Sequence, residues 1–198
     1  VIWGSCMVAC GDADAMVTGN TRRYGQSLQK IIKVVDPRPG EIMFGLNMVV
    51  NKGRTVFIGD TSVHEYPTSK QLAEIAISSA RVVRLFGFTP KIAFLSHSTF
   101  GQPMTSRTKH IRDAVEILKK MKVDFKFDGD MQPDVALNDE YKELYPLSDI
   151  VGNANVLIMP GQHSAAISYK IMKSMSSAKV IGPLLIGLGA AIEIAPLR

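Results

Sequence analysis

Only two cysteines, Cys6 and Cys10, occur in 198 residues. Two thiols make no disulfide framework, and four residues apart on a helix they lie near the edge of disulfide reach, so they read as reduced core thiols. No run approaches the roughly 20 apolar residues that span a bilayer. The opening residues also lack the basic flank and small-residue cleavage site of a secretory signal, so the expectation is a cytoplasmic protein with no membrane partner. Internal repeats and low-complexity linkers are missing too. Asp36-Pro37-Arg38-Pro39-Gly40 is a turn between a helix and a strand, too short to join two domains. Charge of one sign does not accumulate: the formal net charge is +5, and Arg107, Lys109, Arg112, Lys119 and Lys120 are interleaved with Asp113 and Glu116. That pattern is a solvated helix face without the aromatic interleaving of a nucleic-acid surface. A mildly positive field still favours a polyanionic small molecule.

What is present is enough apolar residue for a sizeable core in one domain. Strand-like and helical segments alternate, which predicts an α/β domain with a largely parallel sheet. Strands are expected over 15–18, 42–50, 55–58, 91–96, 124–127, 155–159, 179–181 and 192–195, with Asn51-Lys52-Gly53-Arg54 joining two of them as an antiparallel hairpin. One helix is expected over 69–86: Thr68 and Gln71 have capping-box spacing, and Leu72, Ile75, Ala76, Ser79, Val82, Val83 and Phe86 recur at helical intervals before Gly87. A second, over 106–121, buries Ile111, Ala114, Val115, Leu118 and Met121. The chain opens at Val1 inside an apolar stretch and stops after an apolar strand, from which residues 1–198 are expected to be a piece of something larger.

Ligands of parallel α/β sheets bind beyond the carboxyl ends of the strands, where loops lead into helix N-termini. Three loops have suitable chemistry. Ser96-His97-Ser98-Thr99-Phe100-Gly101-Gln102 offers hydroxyls and backbone N–H groups for phosphate or acyl oxygens. Asp128-Gly129-Asp130-Met131-Gln132 pairs two carboxylates around a glycine, which suits a general base, a metal or simply a helix cap. Pro160-Gly161-Gln162-His163-Ser164 presents a helix start to an anion, while His64 and His110 show no partner in the sequence. Asp12 and Asp14, between Gly11 and Gly19, read as acidic turn residues in preference to metal ligands.

Taken together, Gly11 to Gly19, Ser96 to Gly101, Asp128 to Gln132, Val151 to Pro160 and Ile181 to Gly187 stand in the order and approximate spacing of the phosphotransacetylase family. The resemblance covers nearly the whole chain. It implies a three-layer α/β fold of the phosphotransacetylase and isocitrate-dehydrogenase-like kind, with helices on both faces of a largely parallel sheet and an antiparallel hairpin. It also implies a cleft for coenzyme A and acetyl phosphate, and a homo-oligomer. The wording of Gly11-Asp12-Ala13-Asp14-Ala15-Met16-Val17-Thr18-Gly19, Ser98-Thr99-Phe100-Gly101 and His163-Ser164-Ala165-Ala166-Ile167-Ser168 is similar to the carboxy-terminal domain of large bacterial NADP-dependent malic enzymes. Residues 1–198 would then be part of a phosphate acetyltransferase-like domain, without its last helix and without the malic enzyme domains that precede it.

Two departures bear on chemistry. In the family, an Arg-Pro pair commonly precedes the helix that here ends Gln29-Lys30-Ile31-Ile32-Lys33, where this chain has Gln26-Ser27. A Ser-Arg pair used in catalysis follows the last strand, where this chain has Pro196-Leu197; proline offers no hydroxyl and leucine holds no phosphate. The family's general-base aspartate would lie beyond Arg198. The resemblance therefore implies a regulatory and assembly domain that binds acetyl-CoA or a related acyl-CoA through Ser96, Ser98, Thr99, Asp128, Asp130, His163 and Ser164, with no catalytic residue and no metal of its own. NADP and Mg2+ or Mn2+ belong to the malic enzyme parent, whose catalytic domains are the expected partners. The alternatives are an active phosphate acetyltransferase and a scaffold that only dimerises.

Overall fold

Alternation of side chains along the central strands divides the core into two layers. Phe44, Leu46, Phe57, Ile92, Phe94, Val156 and Ile158 point to one face of a sheet, and Val49, Val56, Ile58, Ala93, Leu95 and Leu157 to the other. The computed structural model describes residues 1–196. In chain order the elements are α1 (Ile2–Cys10), β1 (Met16–Gly19), α2 (Tyr24–Ile31), β2 (Phe44–Asn51), β3 (Arg54–Gly59), α3 (Ser69–Leu85), β4 (Lys91–Leu95), α4 (Ser106–Met121), β5 (Lys126–Met131), α5 (Pro133–Leu137), a 3-10 turn (Asp139–Tyr141), β6 (Val156–Ile158), α6 (Gln162–Met175), β7 (Lys179–Ile186) and β8 (Ile192–Ala195).

Six strands form one sheet in the order β5-β4-β6-β3-β2-β7. β5, β4, β6 and β3 are parallel, and β2 is antiparallel to both β3 and β7. The hairpin turns at Lys52 and Gly53, both at positive φ (48° and 79°), which is the chemistry a tight two-residue turn needs. Helices α3 and α4 cover one face through Leu72, Ile75, Val83, Ile111, Ala114 and Leu118. α5, α6 and the 150–154 loop cover the other through Val135, Ala136, Ile150, Val151 and Ala165. Each large side chain so buried contributes on the order of 1.5–3 kcal/mol, and these two layers set where the loops emerge. The fold is thus the three-layer, largely parallel α/β arrangement expected. β1 and β8 form a separate two-stranded parallel ribbon, tied to the main sheet by Leu28 and Ile31 of α2 against Leu185, Leu188, Ile192 and Ile194.

Both capping boxes are in place. Thr68 Oγ1 accepts from Gln71 N at 3.2 Å while Thr68 N donates to Gln71 Oε1 at 2.8 Å, and Thr105 and Thr108 make the same exchange at 3.2 and 2.7 Å.

Several expectations are corrected. Met121 is 55% exposed and Phe86 45% exposed. Both sit at helix ends where the apolar stripe has rotated off the sheet, although Phe86 still touches Phe57, with ring centroids 5.8 Å apart. Cys10 is exposed and Cys6 half-buried, because α1 packs only one side on the small third cluster; the thiols are free but not core. Strand β7 runs on to Ile186, held by β2 through Phe44 opposite Ile186. No described helix is long and apolar enough to cross a membrane.

Candidate functional site

Residues 128–131 are not a loop. They continue β5, pairing Asp128 with Ala93 and Gly129 with Phe94, after which the ladder shifts and Leu95 pairs with Met131. Asp130 is the extra residue of that bulge, which re-aims its side chain beyond the strand end. Glycine is required at 129: its φ is 151°, and a Cβ there would collide with the Phe94 backbone and Cβ.

The re-aimed carboxylate enters the turn after β4. Ser98 Oγ donates to Asp130 Oδ2, Gly101 N donates to Oδ1 at 3.1 Å, and Phe100 N donates to the Asp130 carbonyl at 2.7 Å. Ser98 Oγ also lies 3.2 Å from Ser96 Oγ, and Thr99 Oγ1 accepts from Gln132 N at 3.3 Å. Ser98 and Asp130 are fully buried, and Thr99 nearly so. Four of the expected ligand contacts, Ser96, Ser98, Thr99 and Asp130, therefore do come together, but around one another. Of the donors in this turn, Ser98 Oγ, Phe100 N and Gly101 N are taken by Asp130. Nor does Asp130 cap a helix, since the N-cap of α5 is Gln132. Asp128, two residues back on the same strand, borders a different cavity, with Phe100 and Tyr145.

His163 and Ser164 stand elsewhere, on the wall of an open cavity of about 670 Å3. β3, β4 and β6 run parallel, so their carboxyl ends lie on one side of the sheet, and the first turns of α3, α4 and α6 converge there. The cavity is lined by Tyr66 and Thr68 before α3, Ser106, Arg107 and His110 on α4, and Gly161, His163 and Ser164 at α6. The N-cap of α6 is Gly161, which has no capping side chain. Gln162 N is taken by the His64 carbonyl at 3.1 Å, and the N–H groups that follow in the first turn, together with the helix dipole, favour an anionic oxygen. Ser164 Oγ turns back to Gly161 O at 2.7 Å, and His163 Nε2 meets Glu65 Oε1 at 3.3 Å across the mouth. His110 does have partners: its Nε2 faces Pro67 O at 2.7 Å and must donate, and its Nδ1 lies 2.9 Å from Ser69 Oγ. It clips α4 to the start of α3, leaving neither ring nitrogen free for a ligand.

The loop after β3 holds a constellation that sequence reasoning missed. Asp60 is buried; its Oδ1 accepts from Gly45 N (2.9 Å), Ser62 N (2.8 Å) and Val63 N (3.1 Å), and its Oδ2 from His64 N (2.6 Å) and His64 Nδ1 (2.8 Å). The signal was an Asp directly after an apolar strand, overlooked because β3 belongs to the hairpin and its parallel pairing with β6 was not evident. Nearby, burial pushes the Tyr24 phenol up to about 12, and neither its hydroxyl nor that of Ser62 has a hydrogen-bond partner among the described residues. Burial also raises the Glu193 carboxyl, which accepts from Leu185 N at 3.0 Å.

Of the two departures, Gln26 lies exposed on α2 and Ser27 is buried with no partner for its hydroxyl among the described residues. Pro196 is exposed just past β8, which pairs with β1 through Ala195 opposite Gly19; Leu197 lies outside the described residues.

Comparison with known proteins agrees with this architecture. Residues 1–196 match the phosphate acetyl/butaryl transferase family. A NADP-dependent malic enzyme of Rhizobium meliloti is 45% identical over 195 residues, 98% of this chain and 26% of that protein. A phosphate acetyltransferase of Clostridium acetobutylicum is 35% identical over 193 residues, 92% of this chain and 58% of that protein. The chain thus spans about a quarter of the malic enzyme and little more than half of the transferase. The crystal structure of a phosphotransacetylase from Streptococcus pyogenes superimposes over 100% of this chain and 61% of its own, with a TM-score of 0.93 at 29% identity. The chain belongs to the phosphate acetyl/butaryl transferase family, and its similarity extends to malic enzymes.

Proposed function

We propose that residues 1–198 are part of the phosphate acetyltransferase-like domain of a NADP-dependent malic enzyme, and that this domain binds acetyl-CoA or a related acyl-CoA without transferring the acetyl group. The reading is carried by Pro196, a residue with no donor where the resemblance puts the family's catalytic hydroxyl, on a fold that is kept. Loss of a transition-state donor typically costs orders of magnitude in rate. The higher identity to a malic enzyme (45%) than to a transferase (35%) supports the same parentage.

In this reading the acyl-CoA lies at the carboxyl ends of the parallel strands, with His163 and Ser164 in contact with it from the cavity wall. Ser96, Ser98, Thr99 and Asp130 shape the neighbouring turn, and Asp128 lies at its far side. Ligand shifts an oligomer between states of different malate activity, which requires unequal affinity for those states. NADP and the divalent cation are handled by the parent's other domains.

The test is kinetic. Malate oxidation by the full-length parent is followed with and without acetyl-CoA, beside thioester formation from acetyl phosphate and coenzyme A. A changed malate rate with no thioester is the expected result. Thioester formation would make the chain a working transferase, and loss of assembly on truncation with no acyl-CoA response would leave only a scaffold.

A further inference from the structure

One wall of the open cavity carries a charge that nothing neutralises. Arg107 lines it from the first turn of α4, is exposed, and has no hydrogen-bond or ion-pair partner among the described residues. The carboxylates nearest in the fold are engaged elsewhere. On α4 itself Asp113 pairs with Lys109 at 3.5 Å and Glu116 with Lys119 at 2.8 Å, and across the mouth Glu65 pairs with His163 at 3.3 Å. His110, which lines the same wall, has both ring nitrogens occupied by Pro67 and Ser69. A free guanidinium is a planar fork of donors that matches a phosphate bidentately. The turn after β4 offers no such opening, because Ser98 Oγ, Phe100 N and Gly101 N are taken by Asp130.

An aromatic ring lies open on the same wall. Arg107 and His110 are three residues apart and so share a face of α4, and His110 Nε2 meets the Pro67 carbonyl at 2.7 Å. That contact sets the Arg107 face of α4 against the segment leading into α3. Tyr66 belongs to that segment; it lines the cavity and is 78% exposed, with no aromatic ring or cation stacked on it among the described residues. An open aromatic face accepts a nucleobase by stacking. A guanidinium for phosphate and a ring for a base are together the chemistry that recognises a nucleotide.

We propose that this cavity holds the nucleotide end of the acyl-CoA, with Arg107 on a phosphate and the adenine stacked on Tyr66, and that the acyl group lies outside it; this rests on the acyl-CoA reading given above. The cavity volume of about 670 Å3 falls within the roughly 300–1,000 Å3 of small-molecule sites, and its open side lets the pantetheine arm run out. A ligand preference follows. Recognition of the shared nucleotide makes coenzyme A, acetyl-CoA and longer acyl-CoAs equivalent, and the adenosine bisphosphate of coenzyme A competes with all of them. An acyl pantetheine has no group for either side chain to hold.

The experiment is calorimetric titration of the full-length protein with acetyl-CoA, with the adenosine bisphosphate and with acetyl pantetheine, and of acetyl-CoA against saturating bisphosphate. Wild type, Arg107→Gln, Tyr66→Ala and Tyr66→Phe are compared. The bisphosphate should bind and displace acetyl-CoA, and acetyl pantetheine should give no heat. Arg107→Gln should weaken acetyl-CoA and the bisphosphate alike, by about tenfold, and flatten their dependence on salt. Tyr66→Ala should weaken both by about tenfold and Tyr66→Phe should leave both unchanged. Arg107 and Tyr66 are exposed, so the urea midpoint should not move in any variant, which separates lost binding from lost folding. Acetyl-CoA binding that the bisphosphate does not displace, or that survives Arg107→Gln and Tyr66→Ala unchanged, overturns the nucleotide assignment and leaves the acyl-CoA reading standing. Inorganic pyrophosphate that competes as well as the bisphosphate overturns the stacking role of Tyr66. No heat from acetyl-CoA overturns both readings.

Discussion

Asp60 is the residue whose loss should do most damage outside the apolar core. Replacing it with alanine removes the acceptor for four backbone N–H groups and one ring N–H in a single step. Each donor left buried and unpaired costs about 1–3 kcal/mol, but the loop can move and admit water to Ser62, Val63 and His64, which are only part-buried. Gly45 N, in a central strand, has no such relief. A loss of about 3–5 kcal/mol is therefore expected for Asp60→Ala, the range for removing one side of a buried charged contact. Asp60→Asn keeps an oxygen for the three donors on Oδ1 but turns an NH2 group toward His64. The ring answers by moving its proton to Nε2 and accepting through Nδ1, so only His64 N stays orphaned and the loss falls to about 1–3 kcal/mol. Urea unfolding followed by far-ultraviolet circular dichroism measures both; the lone Trp3 would report only on α1. Equal losses for the two variants, or less than about 1 kcal/mol for Asp60→Ala, would refute this account of the loop.

Three further outcomes are expected. A Cβ on Gly45 would overlap Ser62 Oγ, so Gly45→Ala should lose about 1–3 kcal/mol, and adding Ser62→Gly should restore much of it in the same urea assay. Burial holds the Glu193 carboxyl above its ordinary value, so its contribution is fully present below the unfolded carboxyl range and is lost as pH rises through the folded value. Glu193→Gln should accordingly gain on the wild type in urea midpoint between acid and neutral pH, and a difference that does not change with pH would count against the assignment. Ser69→Ala unpins His110 from the start of α3 and should cost about 1 kcal/mol in thermal or urea unfolding, while an unchanged midpoint would mean the clip is idle.

Much of the fold was legible in the sequence because local and tertiary preferences agree there. Thr68 and Gln71 mark the start of α3, and the Lys52-Gly53 turn fixes the hairpin. Legibility failed where a polar residue serves a partner far along the chain. Asp128-Gly129-Asp130 has turn chemistry, yet Gly129 is there to let β5 approach Phe94, and Asp130 to fill the turn after β4. Asp60 likewise serves Gly45, on the neighbouring strand. The cavity was half visible: Gly161, His163 and Ser164 sit in one sequence motif, whereas Thr68 and Arg107 join them only because three parallel strands deliver three helix starts to one side.

The central claim is retention of an acyl-CoA site on a scaffold that no longer transfers acetyl groups. Calorimetric titration of acetyl-CoA into the protein, with His163→Ala and Ser164→Ala alongside, tests it most directly. Saturable binding with a Kd below about 1 mM, weakened in both variants, is the predicted result. Absence of heat at millimolar acetyl-CoA, or binding indifferent to both substitutions, would contradict it.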